Sequence, residues 1–364
     1  MRILYLPNSY SQQRQHEKPA NIYPVRMAME AEWHRQHGCY VQWGGVPFEE
    51  YGPWDKVIYE PEGMRFLELP RPDRVFTRAK EYDSGNYKYR PGTHIMSASG
   101  CWWGKCSFCV ENKQPKTRYC PQWQMQCKAN TCSELSLYHP IEKCIEFNKS
   151  VSPYEVRQVE DVISEIEECK ALGFREIFDD SATFPTGRWL DEFIKGVTHR
   201  GITWGCNMRI VDMDYKRLKV SGCRLVLFGI ESANRQTLEK INKGVKSEDI
   251  IPTLKKASKC GLDCHGAFMF GYPWETEEDA RRTLKLCHYL LCKGYLKTAQ
   301  ASLYSPQGVP GNQAHKKYVN KIYNAGFYPE FWWRKIMGLH SKEDLTYLTR
   351  GIKAWYESVI TKQQ

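Results

Sequence analysis

The chain has 364 residues, and its 52 Lys and Arg against 42 Asp and Glu give a formal net charge of +10. It contains no apolar run long enough to cross a bilayer and begins without a signal-peptide profile, which excludes a membrane protein and predicts a cytoplasmic one. The 15 cysteines are an odd number, which disfavours a disulfide framework and indicates reduced thiols with a metal site. Because basic and acidic residues are interleaved, the charge fits a solvated surface better than a nucleic-acid site, with RNA or DNA as the open alternative.

The first 75 residues predict a small Rossmann-like βαβ layer. Short apolar strands are expected at 3–6, 40–43 and 56–59, with a helix at 24–37. Strand, helix and strand in this order make a small parallel sheet. The stretch that follows, from about 60 to 92, is rich in Pro, Arg and Tyr and predicts a segment that runs over the surface, with the linker itself at 76–92.

Three cysteines lie in one short loop after the next predicted strand. Cys101, Cys106 and Cys109 have one glycine before the first and another between the first two, so the backbone can fold tightly. A closed zinc site usually has a fourth Cys or His at comparable range, whereas an iron-sulfur cube can use three thiolates and leave one iron open. The missing fourth ligand therefore favours a cluster, and buried thiols are the alternative.

Residues 113–152 form a cysteine-rich insertion with little periodicity. It carries Cys120, Cys127, Cys132 and Cys144. Zinc or an auxiliary iron-sulfur cluster would replace the hydrophobic core that such a segment lacks. The gaps between these cysteines match no ligand signature, so thiols in a packed loop are the alternative.

Strands and helices alternate through the centre of the chain. Strands are predicted at 94–98, 176–179, 203–208, 223–230, 263–270 and 298–304, and helices at 159–172, 188–199, 215–220, twice within 236–259 and at 277–291. Six such strands predict an α/β fold, a partial (β/α)6 TIM-like barrel over residues 93–311. A further helix at 342–360 would belong to a helical C-terminal extension, residues 312–364.

The cysteine loop resembles the signature of the radical S-adenosylmethionine (radical SAM) enzymes. The spacing is C-x-x-x-x-C-x-x-C, one residue longer than the usual C-x-x-x-C-x-x-C. The amino-acid sequence of the loop is close to that of the cobalamin-domain-containing branch of the family. Residues 228–234 and 242–244 resemble the family's Gly-x-Glu-Ser and Asn-Lys-Gly stretches, and 271–276 its Gly-x-Pro-x-Glu-Thr turn. The resemblance implies the radical SAM barrel after a shortened cobalamin-binding-like domain. Cobalamin itself is disfavoured, because that domain lacks the Asp-x-His-x-x-Gly stretch.

The resemblance also implies a set of ligands at the carboxyl ends of the strands, where barrel enzymes bind their substrates. Cys101, Cys106 and Cys109 would hold a 4Fe-4S cluster whose open iron takes the amino and carboxylate groups of SAM. The predicted SAM contacts are Phe108 and Gly271 for the adenine, Asp179, Asp180 and Ser181 for the amino group, Arg209 for the carboxylate, and Glu231 and Ser232 for the ribose and methionine end. Among these contacts, the aspartate carboxylates would meet the SAM ammonium and the Arg209 guanidinium would meet the SAM carboxylate. A helix N-cap is the alternative for residues 179–181, and a surface ion pair is the alternative for Arg209.

The resemblance implies reductive cleavage of SAM. One electron, from a donor such as flavodoxin or ferredoxin, would split SAM into methionine and a 5′-deoxyadenosyl radical that takes a hydrogen atom from an unidentified substrate. Two other functions stay open. One is a methyl or methylthio transferase acting on RNA, peptide or a small molecule, and the other is a non-catalytic iron-sulfur or zinc protein on a decayed barrel.

Overall fold

The structure is a computed structural model. It describes residues 1–5, 23–44, 54–58, 64–82, 87–109, 154–304 and 313–322, and three short strands between residues 118 and 146. Cys132, Cys144 and the helix predicted at 342–360 lie outside the described residues. None of the described helices has the length and apolar character needed to span a membrane.

The N-terminal residues form the predicted βαβ layer. It consists of β1 (Arg2–Tyr5), α1 (Val25–Gln36), β2 (Tyr40–Trp43) and β3 (Lys56–Ile58), and the three strands are parallel in the order β2-β1-β3. Ile3, Leu4 and Tyr5 of β1 are buried, and the Tyr5 ring stacks on Trp43 with 5.8 Å between the ring centroids. Burial of this apolar strand between its two neighbours holds the layer together.

After β3 the described residues form six consecutive strands, and from residue 159 onward strands and helices alternate, with two helices in succession between residues 235 and 259. The strands are β4 (Gly92–Ile95), β5 (Ala98–Ser99), β6 (Arg118–Cys120), β7 (Met125–Cys127), β8 (Ile145–Glu146), β9 (Glu155–Val156), β10 (Glu176–Asp179), β11 (Thr203–Arg209), β12 (Cys223–Glu231), β13 (Asp263–Phe270) and β14 (Thr298–Leu303). The helices are α2 (Val159–Ala171), α3 (Arg188–Val197), α4 (Tyr215–Val220), α5 (Arg235–Lys240), α6 (Ser247–Lys259), α7 (Glu277–Cys292) and α8 (Lys316–Ile322).

Six of these strands form one parallel sheet in the order β14-β13-β12-β11-β10-β4, which is the predicted partial (β/α)6 barrel. The central strand β12 is apolar on both faces, with buried Leu225 on one face and buried Val226, Phe228 and Ile230 on the other. The helices are apolar on one face, and α7 begins with a capping box between Thr276 and Asp279. All six strands therefore direct their carboxyl ends to the same edge of the sheet.

The first barrel strand is shorter than the predicted strand at 94–98. β4 ends at Ile95, and Ala98 and Ser99 form β5, which pairs antiparallel with β9. The chain turns away because Ser97 and Ala98 donate their amides to side chains at the end of β10 instead of continuing the ladder. This turn starts the cysteine loop.

The stretch predicted to run over the surface is buried in part. Thr77 and Ala79 are fully buried, and Thr77 Oγ1 bonds to Tyr23 OH at 2.7 Å. Arg74 donates to Glu165 on α2 at 2.6 Å, and both side chains are almost completely buried. A buried charge requires such a partner, so these residues fasten the N-terminal part of the chain to the barrel.

The predicted cysteine-rich insertion contains a small antiparallel sheet in the order β7-β6-β8. Cys120 and Cys127 lie on two of its strands, and Cys120 is opposite Met125 in the register. The prediction of a metal site in this segment stays a prediction.

Candidate active site

The cysteine loop is fixed by a turn that follows α5. Ser107 donates its amide to the carbonyl of Ile241 at 2.9 Å, and Trp103 Nε1 donates to the carbonyl of Asn242 at 2.8 Å. The turn itself uses left-handed backbone at Asn242, with φ +52°, and at Gly244, with φ +65°. Both bonds reach backbone acceptors, so the fold of the turn decides where the three cysteines lie.

Gly244 must be a glycine for the Trp103 ring to lie against it. A Cβ atom at this position would overlap the ring, and the positive φ is a conformation that side chains adopt with strain. We expect Gly244→Ala to destabilise the fold by about 1–3 kcal/mol and to lower the iron bound per chain after reconstitution. Gly294→Ala is the matched control, because Gly294 also has a positive φ but no atom lies within 4 Å of the position that its Cβ would take. Equal iron loss in both variants would contradict the role of the Trp103 contact.

Arg209, at the end of β11, lies against the cysteine loop. It is only 6% exposed, which excludes the surface ion-pair interpretation. Its Nη1 points to Cys106 Sγ at 3.8 Å, and its Nη2 donates to the carbonyl of Lys243. The guanidinium also lies over the rings of Trp102 and Trp103, at 5.4 and 4.6 Å from their centroids. The predicted contact with the SAM carboxylate stays a prediction.

Glu231, at the end of β12, is held by Lys243. The Lys243 ammonium donates to Glu231 Oε1 at 2.7 Å, and both side chains are at most 10% exposed. Glu231 has φ +64°, a strained conformation for a non-glycine residue that is found preferentially at functional sites. A Cβ at Gly229 would lie 2.8 Å from the Lys243 ammonium, so the glycine makes room for this pair.

Asp179, Asp180 and Ser181 close β10 but have different surroundings. Asp179 is buried and accepts from the amide and hydroxyl of Ser97, and Ser181 Oγ accepts from the amide of Ala98 at 2.9 Å. These two side chains hold the start of the cysteine loop. Asp180 is reached by solvent, and its carboxylate has no hydrogen-bond partner among the described residues. Desolvation by the surrounding protein, and to a lesser extent repulsion from the Asp179 carboxylate, raise the pKa of Asp180 to about 7.

The remaining predicted SAM contacts, Ser232, Gly271 and Phe108, each interact with a neighbouring side chain. Ser232 is fully buried and lies 3.3 Å from Thr283 Oγ1, so it joins β12 to α7. Gly271 has φ +83° and donates its amide to Glu275 Oε2 at 2.6 Å. Phe108 is partly buried, and the Lys243 ammonium lies 5.7 Å from its ring centroid.

The three cysteines fit a cluster by the chemistry of their surroundings. Burial raises the pKa of Cys106, while Lys243 and Arg209 act to lower it, and the net shift is upward, so the thiol is protonated until a metal replaces the proton. None of the three cysteines is in a disulfide. Among the described residues, no group of three His, Cys, Asp or Glu side chains lies close enough together to hold a single metal ion.

Buried polar atoms without partners surround the same loop. Among the described residues they include Trp102 Nε1, Tyr154 OH, Arg209 Nε and Tyr272 OH. Buried polar groups are normally hydrogen-bonded, so a cluster of exceptions indicates groups that await a ligand. The residues present therefore fit a bound cofactor beside the cysteines.

Sequence reasoning missed two of the residues nearest the loop. The pairing of Ser99 with Glu155 places Tyr154 beside Gly100, and burial and then Cys101 and Asp179 raise the pKa of the Tyr154 hydroxyl. Nothing local in the sequence marks this tyrosine, because its neighbour lies across the insertion. Lys243 had a signal, since the Asn-Lys-Gly stretch was noted, but the chemistry of its side chain was not assigned.

An open parallel barrel with a three-cysteine loop at the carboxyl edge of its first strand is the arrangement of a cofactor-binding barrel. The sequence profile of the radical SAM superfamily matches residues 95–287, a little more than half of the chain. The chain therefore belongs to the radical SAM superfamily, which confirms the resemblance and the predicted barrel.

Curated relatives match part of the chain. An uncharacterized methyltransferase of Pyrococcus horikoshii is 31% identical over 251 residues, 68% of this chain and 47% of the relative. A putative methylthiotransferase of Methanocaldococcus jannaschii is 29% identical over 40% of this chain and 33% of its own length. The chain thus spans less than half the length of these relatives. Among solved structures, the radical S-adenosylmethionine methyltransferase TsrM from Kitasatospora setae is similar with a TM-score of 0.42 and 18% identity, over 59% of this chain and 35% of that one.

Proposed function

We propose that this radical SAM enzyme holds a 4Fe-4S cluster with Cys101, Cys106 and Cys109 and cleaves SAM reductively. The observation that carries the proposal is the position of the three cysteines on a loop that the barrel fixes at the edge where its strands end. A cluster bound there supplies one electron to the sulfonium of SAM, which gives methionine and a 5′-deoxyadenosyl radical that takes a hydrogen atom from the substrate.

The chain's own residues bind and orient SAM. Asp180 receives the amino group, because Asp179 and Ser181 are occupied by Ser97 and Ala98. Glu231 has one carboxylate oxygen on Lys243, which leaves the other for the ribose hydroxyls. Phe108, on the cysteine loop, and the backbone at Gly271, after β13, exclude water from the reacting atoms.

This assignment predicts that SAM binds more tightly as the pH rises through about 7. The pKa of Asp180 is raised to about 7 in the unliganded protein, so the carboxylate is half neutral there and ionised above it. Only the ionised form attracts the SAM ammonium. Titration of the cluster-loaded protein with SAM at several pH values, by calorimetry under anaerobic conditions, checks this. Asp180→Asn is expected to weaken binding and remove the pH dependence, and an unchanged pH dependence in that variant would exclude Asp180 as the group.

The first test of the proposal is anaerobic reconstitution with iron and sulfide, followed by SAM and dithionite. We expect iron and sulfide to bind and 5′-deoxyadenosine to form. Iron bound without any cleavage of SAM would favour the non-catalytic protein. Reaction products are separated by chromatography and compared with a sample lacking dithionite, which must give no 5′-deoxyadenosine.

A second candidate is transfer of a methyl or methylthio group. The names of the Pyrococcus and Methanocaldococcus relatives support it. SAM labelled in its methyl carbon distinguishes the two reactions, because transfer moves the label from SAM to the acceptor. Measuring cobalamin uptake, and iron in excess of one cluster, separates methyl from methylthio transfer. For the electron donor and the acceptor, we propose only the chemical class.

A further inference from the structure

Two buried cations lie beside the cysteine loop. Lys243 and Arg209 are each 6% exposed, and such side chains are rarely buried unless they are paired. Lys243 has a carboxylate partner in Glu231 at 2.7 Å. Arg209 reaches Cys106 Sγ at 3.8 Å and has no carboxylate within ion-pair distance among the described residues. Within that part of the chain, the positive charge of Arg209 therefore lacks an anion.

The contacts that Arg209 does make cannot neutralise it. Its Nη2 bonds to a backbone carbonyl, its face lies on the rings of Trp102 and Trp103, and its Nε has no partner among the described residues. Aromatic rings attract a cation by far less than burial of an unpaired charge costs. The neighbouring Cys106 is an anion only after it binds metal. The positive charge of Arg209 is thus balanced when the cysteines carry negative charge.

We propose that Arg209 and Lys243 raise the reduction potential of the cluster by placing two buried positive charges beside Cys106. The inference rests on the proposed function. A one-electron reduction adds one negative charge to the cluster, with no bond formed or broken, and charges interact strongly in a poorly solvated site. Buried cations consequently stabilise the reduced cluster more than the oxidised one, and burial, charge and hydrogen bonds to the sulfurs are known determinants of such potentials.

The same contacts explain how Lys243 is positioned. Its carbonyl accepts from Arg209, its ammonium bonds to Glu231, and it lies between two left-handed residues of the turn that holds the loop. One residue thus joins the predicted ribose contact to the cluster ligands. Arg209 acts directly on the Cys106 sulfur, whereas Lys243 acts both by its charge and by holding Arg209.

The experiment is a potentiometric titration of the full chain after reconstitution. Dithionite supplies the electron, and the reduced cluster is counted by electron paramagnetic resonance without SAM. We expect Lys243→Met to lower the reduced fraction about tenfold at a potential where little of the cluster is reduced, which corresponds to about 59 mV for one electron. Lys243→Arg keeps the charge and should restore the wild-type potential. Lys246→Met, which removes an exposed lysine three residues away, is the matched control and should leave the potential unchanged.

Two results would overturn the inference. One is a loaded Lys243→Met variant with the wild-type potential, and the other is a Lys243→Arg variant that shifts as far as Lys243→Met, which would indicate a steric effect. If Lys243→Met binds no iron, the double variant with Glu231→Gln is compared with Glu231→Gln alone, which isolates the lysine charge. A lower potential in the double variant supports the inference, and an equal potential overturns it. Absence of a cluster in the wild type would contradict the proposed function itself, so the two failures are distinguishable.

Discussion

Replacing any one of Cys101, Cys106 and Cys109 with Ala is expected to abolish both cluster assembly and the cleavage of SAM. Each cysteine would hold a different iron, and a cube that must leave one iron open for SAM has no spare protein ligand. Iron and sulfide per chain, the absorbance of the cluster and the yield of 5′-deoxyadenosine measure the effect. We expect loss of all three signals in each variant.

The controls are cysteines outside the loop. Cys120→Ala, in the cysteine-rich insertion, should spare the cluster that cleaves SAM. Cys260→Ala removes a partly buried thiol that follows α6 and should also keep full activity. A loop variant that retained iron and cleaved SAM as the wild type does would refute the ligand assignment.

Glu165→Ala is expected to cause the largest loss of stability, about 3–5 kcal/mol, because it leaves the buried Arg74 without its carboxylate and removes one of the two carboxylates that pair with Arg157. Glu165 is fully buried and accepts from Arg74 at 2.6 Å and from Arg157 at 2.5 Å. The same two arginines donate to the carbonyls of His94 and Met96 beside β4. Urea denaturation measures the free energy of unfolding.

Glu168→Ala is the matched control on the same helix. Glu168 is half exposed and pairs with Arg71, so its loss should cost at most about 1 kcal/mol. Burial acts to raise the pKa of Glu165, but the two arginines outweigh it and the net shift is downward. Its contribution to stability is therefore complete above its ordinary pKa and is lost as the pH falls through the lowered one. Equal destabilisation by both substitutions would argue against the buried network.

Local patterns were sufficient to predict the barrel. The almost continuous apolar run of β12 and the one-sided apolar pattern of α2 are properties of short segments, so they can be read without knowing which segments meet. The cysteine loop could be found for the same reason, because its three cysteines are neighbours in the sequence. The first strand was predicted too long because the cause of its end, Asp179, lies 82 residues beyond Ser97.

The electrostatics of the site could not be predicted from such patterns. Arg209 meets Cys106 across 103 residues, and no periodicity encodes that approach. For the same reason the sequence predicts that residues 60–92 run over the surface, although Arg74, Thr77 and Ala79 are buried. A carboxylate on α2 makes an interior position of Arg74 favourable, and a proline- and arginine-rich composition does not reveal it.

The bonds from Ser107 and Trp103 to the turn after α5 join protein atoms alone, so the loop's anchorage does not depend on iron. Many small metal sites are unstructured until the ion arrives, and their affinity is reduced by the entropy of ordering the ligands. Here folding of the barrel supplies that ordering. We therefore expect cluster delivery to follow folding as a separate late step, and a chain without its cluster to keep the anchorage of the loop.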